Sequence, residues 1–155
     1  MRNQFSRGTF MEIITCAIRW EVDIYLAIGR GRDIASAIGF GEIDRTKIEI
    51  IILELARNLL VHAGNGELQL EQLCNDQQQG IIVVAQDRGP GIADIELALC
   101  DGYSTANSLG AGLPGVRRLA DEFSIASQVG VGTTVRAVKW LAQRPQPVIS
   151  RGYVL

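Results

Sequence analysis

A run of turn-forming residues that contains one carboxylate follows an apolar segment in the middle of the chain. The apolar segment is Ile81–Ala85, and Asp87 opens the sequence Asp-Arg-Gly-Pro-Gly that ends at Gly91. A buried strand would hold the carboxylate in place, while Gly89 and Gly91 would let the backbone approach a ligand closely. The same residue types also mark an ordinary turn after a strand. This run alone leaves both interpretations open.

A carboxylate and an amide form the second candidate group. Glu54 and Asn58 are four residues apart in a segment whose apolar residues have helical spacing, so they share one face at the margin of the apolar stripe. Such a pair suits a general base and an oxygen ligand for Mg²⁺, a hard cation that needs few protein ligands beside nucleotide phosphates. A solvated helix edge with a hydrogen bond between the two side chains is the alternative.

A glycine pattern further along the chain is the third candidate. Gly110–Gly115 matches GxGxxG, but a long polar loop from Asp101 precedes it and a predicted hairpin follows. The dinucleotide-binding motif requires a strand directly before it and a parallel βαβ unit around it, so we reject that interpretation. Glycines at a helix N-terminus still expose N–H groups that suit phosphates. The glycines are explained equally well by a helix that begins directly after a tight turn.

Two helices are predicted before these glycines. One starts at Val22, and Gly29–Gly31 is expected to interrupt it before Gly39 ends it. The other has apolar residues at helical spacing over Ile48–Leu59 and ends at Gly64. It is the clearest element of the sequence, and it carries both Glu54 and Asn58.

The remaining elements predict the fold class. Apolar segments on either side of the polar turn Asn75–Gly80 form one hairpin, and segments on either side of Gly130–Gly132 form another. With a strand before the first helix and a helix from Leu113, the order predicts an α+β protein. The architecture is a two-layer sandwich with helices on one face of a mixed, mostly antiparallel sheet.

Composition excludes several classes of function. The 155 residues fit one domain, and 15 Lys plus Arg against 17 Asp plus Glu give a net charge of -2, which argues against nucleic-acid binding. Three cysteines without CxxC spacing and a single histidine argue against a zinc site or disulfides. No segment approaches the ~20 apolar residues that cross a membrane, so we expect a cytoplasmic protein with no membrane contact. Motifs of P-loop enzymes, eukaryotic-type kinases and GxSxG hydrolases are absent.

Four short motifs in order resemble the nucleotide-binding boxes of the GHKL ATPases, the superfamily of DNA gyrase, Hsp90, histidine kinases and MutL. They are Glu54-Leu-Ala-Arg-Asn58, Asp87-Arg-Gly-Pro-Gly91, Gly110-Ala-Gly112 and Gly132-Thr-Thr134. Within that superfamily, Asp101–Thr105, Gly112–Val116 and Gly132–Trp140 are similar to the switch serine kinases of the bacterial stressosome, relatives of anti-sigma-factor kinases. The resemblance implies an ATP-binding kinase domain of the Bergerat fold over residues 11–140. Residues 1–10 and 141–155 are then terminal extensions.

The resemblance implies a role for each matching residue. Asp87 should accept a hydrogen bond from the adenine amino group, with Gly89 and Gly91 shaping the base pocket and Thr133 nearby. Asn58 should hold Mg²⁺.

The remaining roles concern the phosphates and the reaction. Glu54 should act as the general base toward the attacking hydroxyl, and Gly110 and Gly112 should belong to the lid over the phosphates of ATP. Unlike the lids of anti-sigma kinases, residues 101–112 contain no arginine. Arg117 and Arg118 are candidates for the γ-phosphate only by proximity.

Three functions are compatible with the sequence. The resemblance implies a serine/threonine kinase that phosphorylates a STAS-domain partner and is then free to activate a PP2C-type phosphatase. An anti-sigma-like switch that binds partners in the presence of ATP with little phosphotransfer is the alternative. A third hypothesis, the ATP domain of a histidine kinase, is less favoured because the only histidine, His62, lies inside the domain.

Overall fold

The computed structural model describes residues 13–100 and 112–142, which form a sheet with helices on one face. The predicted lid segment 101–111, with Gly110, lies outside the described residues, as do residues 1–12 and 143–155. The predicted domain bounds, residues 11–140, therefore remain a prediction. The elements are β1 (Ile14–Ile18), α1 (Glu21–Ile38), α2 (Glu42–Asn58), a π-helical segment (Leu59–Ala63), β2 (Gly66–Cys74), β3 (Gln79–Asp87), α3 (Ile95–Ala98), α4 (Gly112–Leu119), β4 (Glu122–Gln128) and β5 (Gly132–Trp140).

The sheet has the strand order β1-β2-β3-β5-β4, and all four neighbouring pairs are antiparallel. The predicted α+β class and both predicted hairpins are confirmed. The predicted mixed sheet would contain at least one parallel pair of neighbouring strands. Strand β4 runs in the same direction as β3, but β5 lies between them. No parallel pair therefore forms among the described strands. This insertion brings the end of β3 next to the start of β5, where Asp87 pairs with Thr133.

The core lies between the sheet and the helices. Residues Ile81, Val83 and Ala85 of β3 alternate toward it. The apolar stripe of α2 packs on this face, and its residues Ile48, Ile51, Ile52 and Leu55 are almost fully buried. Because α2 is held along its whole apolar face, the polar residues at the edge of that face have fixed positions.

Helix α1 is continuous, so the predicted interruption at Gly29–Gly31 is wrong. Gly31 is buried, and a Cβ there would overlap the side chain of Ile52 on α2. Close approach of the two helices therefore outweighs the low helix propensity of glycine. Gly39 ends the helix with φ 107°, as predicted. None of the described helices combines the length and apolar character needed to cross a membrane.

The first turn of α1 supports a prediction about pH and stability. Asp23 Oδ2 accepts the backbone N–H groups of Arg19 and Trp20, each at 2.9 Å, and these bonds lower the pKa of its carboxyl. A depressed pKa stabilises the fold at a pH above the unfolded value, about 3.9, and this contribution is lost as the pH falls through the folded pKa. Wild type should therefore exceed Asp23→Asn in free energy of unfolding at pH 7, and the difference should shrink at low pH.

Urea denaturation at several pH values measures this difference. Asp33→Asn, at an exposed position of the same helix, is the matched control. A stability difference between wild type and Asp23→Asn that does not change with pH would contradict the assignment to the charged carboxylate.

Candidate functional site

A cavity of about 60 Å³ lies between the end of α2 and the sheet. Its walls are largely apolar, with a carboxylate, an amide, a hydroxyl and an imidazole among them. This composition is typical of a site for a small organic molecule, in which few polar groups set the orientation. The lining residues are Leu55, Asn58, Leu59, His62, Ala85, Asp87, Pro90, Gly91, Ile92, Leu113, Thr133 and Val135.

Asp87 is the best-defined polar group of the cavity. One carboxylate oxygen, Oδ1, accepts the N–H of Gly89 at 2.8 Å and the N–H of Thr133 at 3.3 Å. The other oxygen, Oδ2, makes no hydrogen bond with any residue that the structure describes. Two backbone donors therefore orient the carboxylate and leave one oxygen able to accept a hydrogen bond from a bound molecule.

Two glycines in the predicted ligand loop are required by close packing. A Cβ on Gly89 would lie 2.7 Å from the Cβ of Ala63. Gly91 has φ 77°, and a Cβ there would press on the backbone of Gln128 and Val129. The glycines bring this loop against the end of the helix on one side and the β4–β5 turn on the other.

Hydrogen bonds tie the same loop to the β4–β5 hairpin. The N–H of Gly130 donates to the carbonyl of Pro90 at 2.8 Å, and the N–H of Ile92 donates to Ser127 Oγ at 2.7 Å. Ser127 Oγ also lies 2.7 Å from Thr133 Oγ1. Ser127 was missed by the sequence reasoning, because a bond to a residue 35 positions away leaves no local pattern. It links the Asp87 loop to the strand that carries Thr133.

Asn58 and Glu54 both lie on α2, one turn apart. Asn58 is half-buried and lines the cavity, and its amide makes no hydrogen bond with a described residue. Glu54 is only 1% exposed, and it is not among the residues that line the cavity. The predicted roles of these two residues in metal binding and proton transfer remain predictions.

His62 lines the cavity, which the sequence reasoning did not expect. The segment after Asn58 continues as a π-helix, whose wider turn is common at functional sites. His62 follows Asn58 by four residues, a spacing that places two side chains on the same side of a helix. This spacing was the signal in the sequence that could have indicated His62. The imidazole is therefore a wall of the cavity as well as a residue near the end of a helix.

The N-terminus of α4 borders the cavity through Leu113. Gly112 is the first residue of this helix, is buried and has φ 68°. Arg117 and Arg118 lie on the same helix with exposed side chains. A metal site made only of protein ligands would require at least three His, Cys, Asp or Glu side chains close together. No such group occurs among residues 13–100 and 112–142.

Comparisons with known proteins identify the family of the chain. Residues 43–143 match the family model described as "Histidine kinase-, DNA gyrase B-, and HSP90-like ATPase", and the chain belongs to this family of ATP-binding proteins. The chain is also 48% identical over 124 residues to serine/threonine-protein kinase RsbT of Bacillus subtilis (strain 168). That alignment covers 80% of this chain and 93% of RsbT. Within the family, the chain therefore groups with this serine/threonine kinase, and the predicted resemblance is confirmed.

A solved structure, the mycobacterial sensor histidine kinase MprB, is more distant. It is 18% identical, with a TM-score of 0.49, and the match covers 84% of this chain and 97% of that one. This distant likeness adds nothing to the assignment made from the family and from RsbT.

The packing around Gly91 makes a stability prediction. Gly91→Ala should destabilise the protein more than Gly130→Ala, because both residues have positive φ but only Gly91 faces backbone atoms within contact distance. The unfavourable φ costs about 1–2 kcal/mol in each variant, and the overlap adds to it only at Gly91. Urea denaturation of the two variants measures the difference. Equal losses of unfolding free energy would mean that the loop is not tightly held against the hairpin.

Proposed function

We propose that this serine/threonine kinase transfers the γ-phosphoryl group of Mg-ATP to a STAS-domain partner in the cytoplasm, in a partner-switching pathway of the stressosome type. After the transfer it would be free to bind and activate a PP2C-type phosphatase. The observation that carries the proposal is the cavity that joins Asp87, Thr133 and Asn58, in a chain 48% identical to RsbT.

Asp87 is proposed to recognise the adenine. Its Oδ2 would accept a hydrogen bond from the exocyclic amino group, while its Oδ1 stays bound to the backbone. Gly89 and Gly91 shape the loop beside it, and Thr133 donates its N–H to the same carboxylate. The apolar walls would cover the faces of the base, where planar aromatic groups are desolvated at little cost.

Asn58 is proposed to hold Mg²⁺. Its amide oxygen is a suitable ligand for a hard cation, and the amide makes no hydrogen bond with a described residue. One neutral ligand is too few for a magnesium site by itself, so the ATP phosphates and water would complete the coordination. A metal that arrives with its nucleotide is consistent with the missing acidic cluster among the described residues.

Glu54 is proposed to accept the proton of the acceptor hydroxyl. It lies one helical turn before Asn58 on α2, so the base and the metal ligand are held by the same rigid element. Its burial to 1% exposure keeps bulk water away from the carboxylate. Phosphoryl transfer depends mainly on positioning and charge stabilisation, and a base on a packed helix meets the first requirement.

The phosphates are proposed to lie at the start of α4, under a lid to which Gly110 and Gly112 belong. Backbone N–H groups at the N-terminus of a helix attract anions, and Leu113 already lines the cavity at this end. This arrangement would place the γ-phosphate away from Asp87 and toward α2.

An ATP-dependent switch that sequesters its partners with little phosphotransfer is the second candidate. The observation that favours it is the sequence of residues 101–112, which contains no arginine to offset the charge on the γ-phosphate. Glu54 favours the kinase instead, because nucleotide binding alone does not require a base.

Asp87→Asn tests the adenine assignment. The asparagine Oδ1 can still accept the N–H groups of Gly89 and Thr133, but its amide presents donors where the adenine amino group needs an acceptor. ATP affinity measured by calorimetry should fall by about 10- to 100-fold, as expected for a lost hydrogen bond to a charged group. Asp94→Asn, a cap of α3 away from the cavity, is the control. Unchanged affinity in Asp87→Asn would refute the adenine assignment.

Glu54→Gln and Asn58→Ala test the reaction. With radiolabelled ATP and a STAS-domain protein encoded beside this gene, Glu54→Gln should lower the transfer rate by about 10²–10⁴-fold, the usual contribution of a general base. Asn58→Ala should raise the Mg²⁺ concentration needed for half-maximal ATP binding. Glu49→Gln, on the same helix and paired with Arg32, is the matched control for Glu54.

The same assay separates the two candidate functions. A wild-type protein that binds ATP and its partner tightly but transfers no label would reject the kinase mechanism and favour the sequestering switch. Transfer that survives in Glu54→Gln at the wild-type rate would reject only the role of Glu54.

A further inference from the structure

A second cleft, of about 360 Å³, opens at the end of the sheet where β1, β2 and β3 meet. Ala17, Glu67 and Gln86 line it, and they are cross-strand partners in a single row. Their chain neighbours Ile18 and Ala85 are buried in the core, so this row faces away from the helices. The cleft therefore lies on the face of the sheet opposite the helices, whereas the proposed nucleotide cavity lies on the helix side.

Two arginines flank this cleft. Arg19 follows Ala17 by two residues and Arg88 follows Gln86 by two, so both lie just beyond the ends of their strands. Neighbouring strands are roughly 5 Å apart and β2 lies between β1 and β3, so the backbones of the two arginines are roughly 10 Å apart. Neither guanidinium forms a hydrogen bond or an ion pair with a residue that the structure describes. Both can therefore bind a ligand.

The middle strand adds a carboxylate and an amide between the arginines. Glu67 and Asn65 line the cleft at the start of β2, and Glu67 forms no ion pair with a described residue. Asp87 is the one described residue that the cleft shares with the proposed nucleotide cavity. It alternates with Gln86 along β3, so its carboxylate belongs to the helix side of the sheet. The side-chain charges across the cleft are therefore positive, negative and positive.

An acidic amino acid complements this charge pattern. It carries two carboxylates, which guanidinium groups bind in bidentate fashion, and an ammonium group on the carbon chain between them. A phosphate dianion would satisfy the arginines equally well but would be repelled by Glu67. The amides of Asn65 and Gln86 can donate to the remaining carboxylate oxygens. The volume also fits, because pockets for small molecules measure roughly 300–1,000 Å³.

We propose that this cleft is a binding site for an acidic amino acid, glutamate or aspartate. Arg19 and Arg88 each hold one carboxylate of the ligand, and Glu67 pairs with its ammonium group. None of these three residues lines the proposed nucleotide cavity, so the site is independent of the kinase mechanism.

Titration of the full chain with L-glutamate or L-aspartate in the absence of ATP, followed by two-dimensional NMR of the backbone amides, tests the site. The buffer contains about 0.1 M NaCl, which screens charges that are more than ~10 Å apart. Wild type should show saturable shifts of the amide signals around the cleft. Arg19→Gln and Arg88→Gln should each weaken binding by at least about tenfold, because each removes a charge-assisted hydrogen bond. Arg136→Gln, an exposed arginine on the same face outside the cleft, should bind like wild type.

Glutarate, which is glutamate without the amino group, tests the role of Glu67. Wild type should bind glutarate about tenfold more weakly than glutamate, and Glu67→Gln should lose this preference. The amide spectrum of each variant also shows that its fold is that of wild type.

Four results would overturn the site. They are no saturable binding to wild type, unchanged glutamate binding in both arginine variants, equal binding of glutarate and glutamate by wild type, and tighter binding of inorganic phosphate than of glutamate. Because the titrations contain no ATP, each of these results leaves the kinase proposal untouched.

Discussion

The candidate site depends on the pairing of the end of β3 with the start of β5. Asp87 and Thr133 are partners in this ladder, and the N–H of Thr133 and the N–H of Gly89 hold one carboxylate oxygen. A carboxylate at a strand end would otherwise rotate freely in solvent. Because both donors belong to the backbone, the orientation of Asp87 follows from the sheet itself and requires no further side chain.

The pairing of β3 with β5 also fixes the position of the loop after β3. Gly91 lies against the β4–β5 turn, and Ser127 joins Ile92 to Thr133. The loop therefore moves with the hairpin, and one wall of the cavity is a rigid unit. The facing wall is α2 with its π-helical extension, which is fixed by its own apolar stripe. Two elements that are each packed independently thus enclose a preformed space, which lowers the entropy cost of binding a ligand.

The helix layer has two distinct surfaces. The inner faces of α1 and α2 pack together so closely that only glycine fits at position 31. Helix α2 then presents Asn58 to the cavity, and α1 presents apolar residues to solvent on the side away from it. The cavity and the exposed side of α1 are therefore different surfaces of the domain.

The sequence by itself determined the elements and the identities of the proposed ligand-binding residues. The period of the α2 stripe, the two hairpins and the Asp87 loop are local patterns. Local patterns can be recognised in a sequence without knowledge of the fold. Only the tertiary structure decided that β5 separates β3 from β4, that α1 runs unbroken through Gly31, and that His62 and Ser127 belong to the site. These features depend on residues far apart in the chain. Their physical cause is packing between elements, which outweighs local propensity and has no periodic trace in the sequence.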